Sequence, residues 1–510
     1  MPFPFAHPLL RRLAVILGLT VYVAAASTIA LAQTTEELPD IGNPAGTILS
    51  KDDEYSLGLM VLRELRQQNE ILDDPESAEY VQALGSRIAA QAPEAAHQFV
   101  YSIVRERDIN AFAVPGGFIF LNYGTILASG NESQLAGVLA HETAHVVQRH
   151  IARAIRAQSR QSITTAAAIL AAILLGAMGG GGAAVEGGIA AAEGMAAQQQ
   201  INFTRGEEYE ADRVGMGFLA RAGFDPEGMP DFFEALEHRV GVEEVLIPKI
   251  LVDHPATADR IAEAKGRAAQ LERPKHLQDS VSYALIRERV RVLMADPDTD
   301  MRDFYRRRLE TRYPLISDQY GEALAQMRSG HPAEAVEILR PLVAAHDSVI
   351  LLHSALGEAQ VAAGQMQQGL STFARAEALF PRNVPLSVRY GEALIKAGHG
   401  KEAHELLLDV FNNAEPTPQQ IQLTARAASA AGDPGDAYYY MSEYHITSGN
   451  LNLASHQLEL ALSTPNLTIV QRERYRARLD EIREFLAEER RAHHGRQTAD
   501  NDGSHLEEMR

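Results

Sequence analysis

Two histidines one helical turn apart, with a glutamate directly after the first, make a metal-ligand pair with a base beside it. The chain holds this arrangement at His141-Glu142-Thr143-Ala144-His145, inside the apolar stretch GVLAHETAHVV. Residues at i and i+4 lie one above the other on a helix face. Both imidazoles then reach one tetrahedral Zn²⁺ with bonds of roughly 2.0–2.1 Å. Glu142 follows the first ligand, where it can hold and deprotonate a water at the metal, and the chemistry is that of a zinc hydrolase.

The elements around the pair must bury and orient it. Gly137, Val138, Leu139, Ala140, Val146 and Val147 make the helix apolar, and buried His and Glu need partners that a metal supplies. Ser129 with Glu132 reads as a capping box opening the helix. His150, five residues after His145, falls off the ligand face and reads as a surface residue. The chain has no Cys, so a third protein ligand must be His, Asp or Glu. Residues 204–215 (TRGEEYEADRVG), read as a helix, put Glu208 and Asp212 at i and i+4 on one face, with Ala211 and Gly215 small enough for close packing on the first helix. One carboxylate as ligand and another receiving a ligand His N–H is the usual arrangement. The same run also reads as an ordinary acidic surface helix.

HExxH about sixty residues before ExxAD resembles the family-48 zinc metallopeptidases, which are gluzincins. The resemblance implies Glu208 as the third ligand, Glu207 and Glu210 as mere neighbours, and Asp212 in a supporting role. A second family signature, N-A-F-A-x-P-G-G, is matched by Asn110-Ala111-Phe112-Ala113-Val114-Pro115-Gly116-Gly117. It implies that Asn110, Ala111, Phe112 and Ala113 border the cleft and can pair with an extended substrate by strand addition. Read without the resemblance, it is a Pro-Gly turn before a core strand. An HPxxxxR element, His254-Pro255-Ala256-Thr257-Ala258-Asp259-Arg260, implies His254 close to the metal and Arg260 near the cleft. From it we expect His254 to be able to take the fourth zinc position in a resting state. The alternative is a helix start with Pro in its first turn and a His that touches no metal. His254 and Arg260 are also the candidates for stabilising an oxyanion.

Arg11 and Arg12, the apolar run 13–29 and Ala30-Leu31-Ala32 read as a secretory signal cleaved after Ala32, with an uncleaved anchor as the alternative. No Cys follows the run, which excludes a bacterial lipoprotein. Without disulfides the fold rests on burial, which 510 residues supply in two domains or more. A net charge of −20 argues against nucleic acid and against an anionic membrane surface as the main electrostatic partner. A second apolar run, 163–178, precedes four glycines and is short for a span. We expect a hairpin or flap over the site there, able to touch a membrane or an unfolded client; the alternative is a buried core helix.

From about residue 313 the chain turns to Ala-rich helices. Gly330, Gly364, Gly398 and Gly432 recur at about 34 residues, the tetratricopeptide period. Tyr320-Gly321, Leu356-Gly357 and Tyr390-Gly391 recur in near register, and Phe380-Pro381 closes one repeat. This half resembles tetratricopeptide repeats, whose concave face binds peptides or proteins. Ser448-Gly449-Asn450 falls half a period after Gly432 and leaves the last repeat's bounds open. Tyr438, Tyr439, Tyr440 and Tyr444 serve that face or the core.

The expected fold is mainly α: an α+β zincin-like metalloprotease domain with a small sheet, then an α-solenoid of tetratricopeptide repeats. The expected parts are a signal peptide (1–32), the protease (33–275), a charged helical connector (276–312), the repeats (313–483) and a disordered polar tail (484–510). Signal, LPDIG segment, protease and repeats come in the order of periplasmic family members that pair this protease with such an array. That likeness implies a periplasmic zinc endopeptidase with one Zn²⁺ per chain on His141, His145 and Glu208. Glu142 would be the general base that passes its proton to the leaving amine. The implied clients are stalled or misfolded outer-membrane proteins, with the repeats touching them or their assembly machinery. The alternative is a chaperone or assembly adaptor with a mainly structural zinc site; Glu142 beside the metal favours the enzyme.

Overall fold

A computed structural model describes residues 50–92, 99–158, 204–242, 248–275 and 279–507. The expected signal peptide and the apolar run 163–178 lie outside the described residues. Among those described, no helix is long and apolar enough to cross a membrane.

Helices α1 (Lys51–Gln67) and α2 (Pro75–Ala89) precede three short strands, β1 (Val100–Val104), β2 (Ala111–Val114) and β3 (Phe118–Asn122). The sheet order is β1-β3-β2. β1 runs parallel to β3 with Val100 opposite Phe118, and β2 runs antiparallel with Ala111 opposite Leu121. The strands are buried nearly throughout, so they read as apolar runs with no polar alternation. α3 (Tyr123–Ala128) leads into α4 (Glu132–Val147), the HExxH helix, which packs on β2, β3 and α2. After α5 (His150–Gln158), α6 (Arg205–Arg221) and α7 (Gly228–Val242) also pack on α4, followed by the short α8 (Lys249–Asp253) and α9 (Ala258–Ala268).

Helix α4 opens differently from expectation. Its N-cap is Asn131, whose side chain accepts from Gln134 N at 2.9 Å. Ser129 ends α3 instead, with its hydroxyl donating to the Thr125 carbonyl at 2.8 Å. Asn is as good a cap as Ser, and the tight α3–α4 turn leaves the later residue at the helix start. Glu132 turns away from the cap to bond Tyr80 and Ser280.

The segment expected as a connector is the pair α10 (Val281–Leu293) and α11 (Met301–Leu309). Both pack on the first repeat helix, α12 (Ile316–Arg328), and α10 also packs on α2 and α3. A single buried apolar cluster runs from Ile119 and Leu139 through Tyr283 and Val290 to Tyr320 and Leu356. No gap in packing separates the first part from the repeat helices there.

The repeats follow as α13 (Pro332–Ala345), α14 (Ile350–Ala362), α15 (Met366–Leu379), α16 (Val384–Lys396), α17 (Gly400–Phe411), α18 (Pro418–Ala430), α19 (Pro434–Thr447) and α20 (Leu451–Ser463). Gly330, Gly364, Gly398 and Gly432 form the turn within each pair, at φ of 81°, 77°, 81° and 80°. That left-handed conformation is why glycine recurs there. The period continues at Asn466, φ 63°, with asparagine as the next-best residue for that conformation. Gly449 turns α19 into α20, so it lies between repeats and the last pair is not shortened. The tail expected to be disordered from 484 is instead drawn into one helix, α21 (Ile469–Glu507). Its RERYRARLDEIREFLAEERRA run is rich in strong helix formers and lacks Pro and Gly. Of the tyrosines, Tyr439 stacks on Tyr475 at 5.2 Å and Tyr440 meets His404, while Tyr438 is exposed.

Candidate metal centre

The approach of α6 to α4 builds the site. A Cβ on Gly215 would lie 2.7 Å from the Ala140 carbonyl oxygen and 3.1 Å from His141 N, so only glycine lets the two backbones come this close. Thr204 and Glu207 form a full capping box at the start of α6, which spends Glu207 on the cap and leaves Glu208 facing inward. Glu208 and Asp212, one turn apart, are both buried.

Four donor atoms converge. His141 Nε2 lies 3.0 Å from His145 Nε2 and 3.4 Å from His254 Nδ1. Glu208 Oε1 lies 3.6 Å from His145 Nε2 and 2.9 Å from His254 Nδ1. A tetrahedral ion with bonds of roughly 2.0–2.1 Å spaces its ligand atoms about 3.3–3.4 Å apart. The four atoms therefore stand close to the corners around one such ion, and all four residues are buried. Glu142 Oε1 is buried without a hydrogen-bond partner among the described residues, 3.6 Å from His254 Nε2. An unpaired buried carboxylate oxygen is costly and marks a place where something else binds.

The surroundings fix the donors. Asp212 Oδ1 lies 3.0 Å from His141 Nδ1, which favours a proton on Nδ1; with a metal held in the cluster the Nε2 lone pair would face it. Arg260, buried on α9, donates through Nε and Nη2 to Asp212 at 2.5 and 2.8 Å, and its Nη1 lies 2.7 Å from Glu208 Oε2. Its guanidinium lies over the Phe233 ring, 5.2 Å from the centroid. His254 caps α8, which is tied down by Ile250 N bonding the Ile109 carbonyl and by Asn110 Nδ2 donating to Asp253.

The charges test the fit of a divalent cation. Among the described residues, Glu142, Glu208 and Asp212 face a single guanidinium, that of Arg260, a deficit of two positive charges if the imidazoles are neutral. In the protein alone, protons answer that deficit. Burial opposes charging His141, but Asp212 and Glu208 push it up to about 9, and His254 is raised against its burial by Glu208 and Glu142. Burial and the neighbouring His141 push His145 well down. Burial raises Glu142, whereas His254 and His141 hold Glu208 well below the usual range despite its burial. Two imidazoles, a carboxylate and this deficit suit a divalent cation of the zinc type.

The structure thus brings His141, Glu142, His145, Glu208, Asp212, His254 and Arg260 into one buried cluster. The proposed substrate strand stands differently. β2 is an edge strand, but Asn110 is buried inside the fold, with its side chain on Asp253 and Ala111 N and its carbonyl accepting from Thr125 and Asn122. The Asn110–Asn122 bond sets the alternation, so Phe112 pairs with β3, and Ala111 and Ala113 turn their backbone groups to the outer edge. Ala111 N is taken by Asn110 Oδ1, and Ala113 is itself buried.

His150 overturns its expected surface place. It is fully buried, with Nδ1 2.9 Å from His145 Nδ1 and Nε2 3.2 Å from Glu210 Oε2. The α4 helix ends before it, and Arg149, at φ 52°, folds the ring back. The polar Gln148-Arg149 pair after Val147 was the signal that the α4 register stops there.

Comparison with known proteins agrees with this organisation. Residues 75–268 match Peptidase family M48, and residues 360–427 match a tetratricopeptide repeat. The chain is 34% identical over 469 residues to the putative beta-barrel assembly-enhancing protease of Vibrio cholerae, covering 90% of this chain and 95% of that protein. It is 31% identical over 463 residues to the beta-barrel assembly-enhancing protease of Escherichia coli, covering 89% and 93%. It is also 29% identical over 195 residues to the mitochondrial metalloendopeptidase OMA1 of Schizosaccharomyces pombe, covering 36% and 50%.

Proposed function

The chain belongs to peptidase family M48, in the group that joins the peptidase to tetratricopeptide repeats, and on that footing we propose that it is a periplasmic zinc endopeptidase acting on outer-membrane proteins during their assembly. That it is a metallopeptidase follows from the family; the metal, the residues' roles, the location and the clients are our reading. The observation that carries it is the convergence of His141 Nε2, His145 Nε2 and Glu208 Oε1 beside the buried Glu142, whose Oε1 accepts no hydrogen bond among the described residues. His141, His145 and Glu208 would hold one Zn²⁺, which when bound polarises a scissile carbonyl and acidifies water. Glu142 takes the proton of the attacking water and delivers it to the leaving amine. Asp212 holds the His141 tautomer, and Arg260 holds Asp212 and Glu208 in place. Ala113 offers its edge amide and carbonyl to an extended substrate backbone.

His254 completes the fourth corner. We read this as the resting state, in which His254 keeps the substrate carbonyl out until the α8 segment moves. His254→Ala should then raise proteolysis; unchanged or lost proteolysis would count against the block. The reading of the clients draws on the names of the relatives, which are assembly-enhancing proteases, and on a repeat array suited to holding protein segments. Export rests on the Arg11-Arg12 and Ala30-Leu31-Ala32 signal, with the mature protease from 33 to 275 and the repeats from 313 to 483.

The closed fourth corner also favours a second reading, an adaptor that binds clients and rarely cuts. Both readings meet one experiment. Wild type and Glu142→Gln are assayed for zinc content and for cleavage of an unfolded outer-membrane protein. One zinc in each with cleavage by wild type alone supports the enzyme. One zinc in each, no cleavage, and retained client binding supports the adaptor.

A further inference from the structure

Arg149 sits in the left-handed region at φ 52°, where a bulky residue is uncommon. Its Nε and Nη2 bond Glu54 Oε1 on α1 at 2.9 and 2.5 Å, which anchors the turn. The turn delivers His150 against His145. Glu210, two residues past Glu208 on α6, meets the far side of the His150 ring and is itself bonded by Arg153 Nη2 at 3.0 Å.

The contact fixes its own protons. Two ring nitrogens 2.9 Å apart need one proton between them: two would clash, and none would set lone pair against lone pair. His145 turns Nε2 toward the other donor atoms; with a metal held among them Nε2 would give it its lone pair, and Nδ1 then carries the proton. His145 Nδ1–H therefore donates to His150 Nδ1, and His150 Nε2–H donates to Glu210.

We propose that His150, backed by Glu210, is a positioning residue that locks the tautomer and ring orientation of His145 for metal binding, as Asp212 does for His141. This rests on the reading of His141, His145 and Glu208 as metal ligands. The two supports differ in kind. His141 leans on a carboxylate already neutralised by Arg260, and His145 on a neutral imidazole, so the second support adds no charge beside the metal position.

The test measures zinc affinity by competition with a chromogenic chelator, and the visible spectrum of the Co²⁺-loaded protein, on the full chain. The variants are His150→Phe, His150→Asn and Glu210→Gln, with folding followed by circular dichroism. Phe fills the ring's place without an acceptor, and zinc affinity should fall about 10–100-fold with a shifted Co²⁺ spectrum. Asn puts an amide oxygen where Nδ1 stands and should restore most of the affinity. Glu210→Gln should weaken binding by less than Phe does. Wild-type affinity in His150→Phe overturns the proposal, and so does an equal loss in Phe and Asn, which would reduce the ring to packing. Should the Phe variant not fold, the other two decide: near-normal affinity in Asn with a loss in Glu210→Gln supports it, and the reverse overturns it. A wild type that takes up no zinc, or a His141→Ala that loses none, sinks the ligand reading instead.

Discussion

Asp212 stands between a proposed ligand and a cation, so it carries two tasks on one carboxylate. Oδ1 holds His141 Nδ1 at 3.0 Å, and both oxygens accept from Arg260. Asp212→Asn keeps the shape but removes the charge and turns one acceptor into a donor. Arg260 would then face Glu208 alone, and the amide would compete with the His141 N–H. We expect zinc affinity and proteolysis to fall together by about 10–100-fold, with a loss of stability from the buried guanidinium left half-paired. Chelator competition and thermal unfolding check it; an unchanged zinc affinity would show that His141 needs no partner. Arg260→Lys should resemble it more weakly, since an ammonium cannot bridge two carboxylates with a planar fork.

At the scale of elements, the site depends on how closely α6 approaches α4. Gly215→Ala would set a methyl 2.7 Å from the Ala140 carbonyl oxygen, and overpacking of this kind costs about 1–3 kcal/mol. Because Glu208 rides on the same helix, zinc affinity should fall with the melting temperature. Gly217→Ala is the control, since its methyl would meet only Arg221 Nη1 at 3.3 Å, the end of a flexible side chain. It should stabilise by up to about 0.5–1 kcal/mol through helix propensity. A Gly215→Ala protein as stable and as zinc-avid as wild type would mean that the helices slide apart freely. The same scale separates what was legible in the sequence from what was not. His141 with His145 was legible because the pair lies within one helical turn, where spacing is geometry; the same spacing in Glu208 and Asp212 also fitted a surface helix, and the family resemblance chose between them. The 34-residue glycine period was legible because a left-handed turn limits the residues it accepts. His150 was not, because its direction depends on one backbone angle at Arg149. The strand 110–113 was named as a whole, and choosing Ala113 within it needed the register of β2 on β3. The stretch from 484, expected to be disordered, was judged by its polarity, although residues 484–492 (EFLAEERRA) are mostly strong helix formers.

At the scale of the molecule, the repeats are joined to the protease by buried charge. Asp74 and Glu76 at the start of α2 meet Arg289 on α10 at 2.7 and 2.9 Å, and Arg389 on α16 at 2.9 and 2.8 Å. Glu358 on α14 joins at 3.2 Å from Arg389, and Ser354 donates to Glu76. Further along, Arg63 of α1 donates to the Thr447 carbonyl at 2.8 Å, and Gln419 bonds Asp73. Three carboxylates face two guanidiniums, so Glu358 is the odd charge. Burial, with Glu76 and Asp74 beside it, pushes it up to about 7 against the pull of the arginines. Its ordinary value is 4.5, so between roughly pH 4.5 and 7 the folded state holds a proton that the unfolded state has lost. Stability from this group must therefore fall as pH rises through that window. Asp74 has the opposite sign: although burial opposes it, Arg289 and Arg389 hold it well below the usual range, and its contribution is lost only in acid. Glu358→Gln should match wild type in melting temperature at pH 5 and exceed it at pH 8. Asp74→Asn should lower the melting temperature at both, because it leaves a buried guanidinium short of a partner, a loss of about 3–5 kcal/mol. A Glu358→Gln protein less stable than wild type at pH 8 would mean that Glu358 is ionised and needed by the arginines. The cluster would then hold three ionised carboxylates on two guanidiniums with no spare proton, and the union of repeats and protease would not weaken between pH 5 and 8.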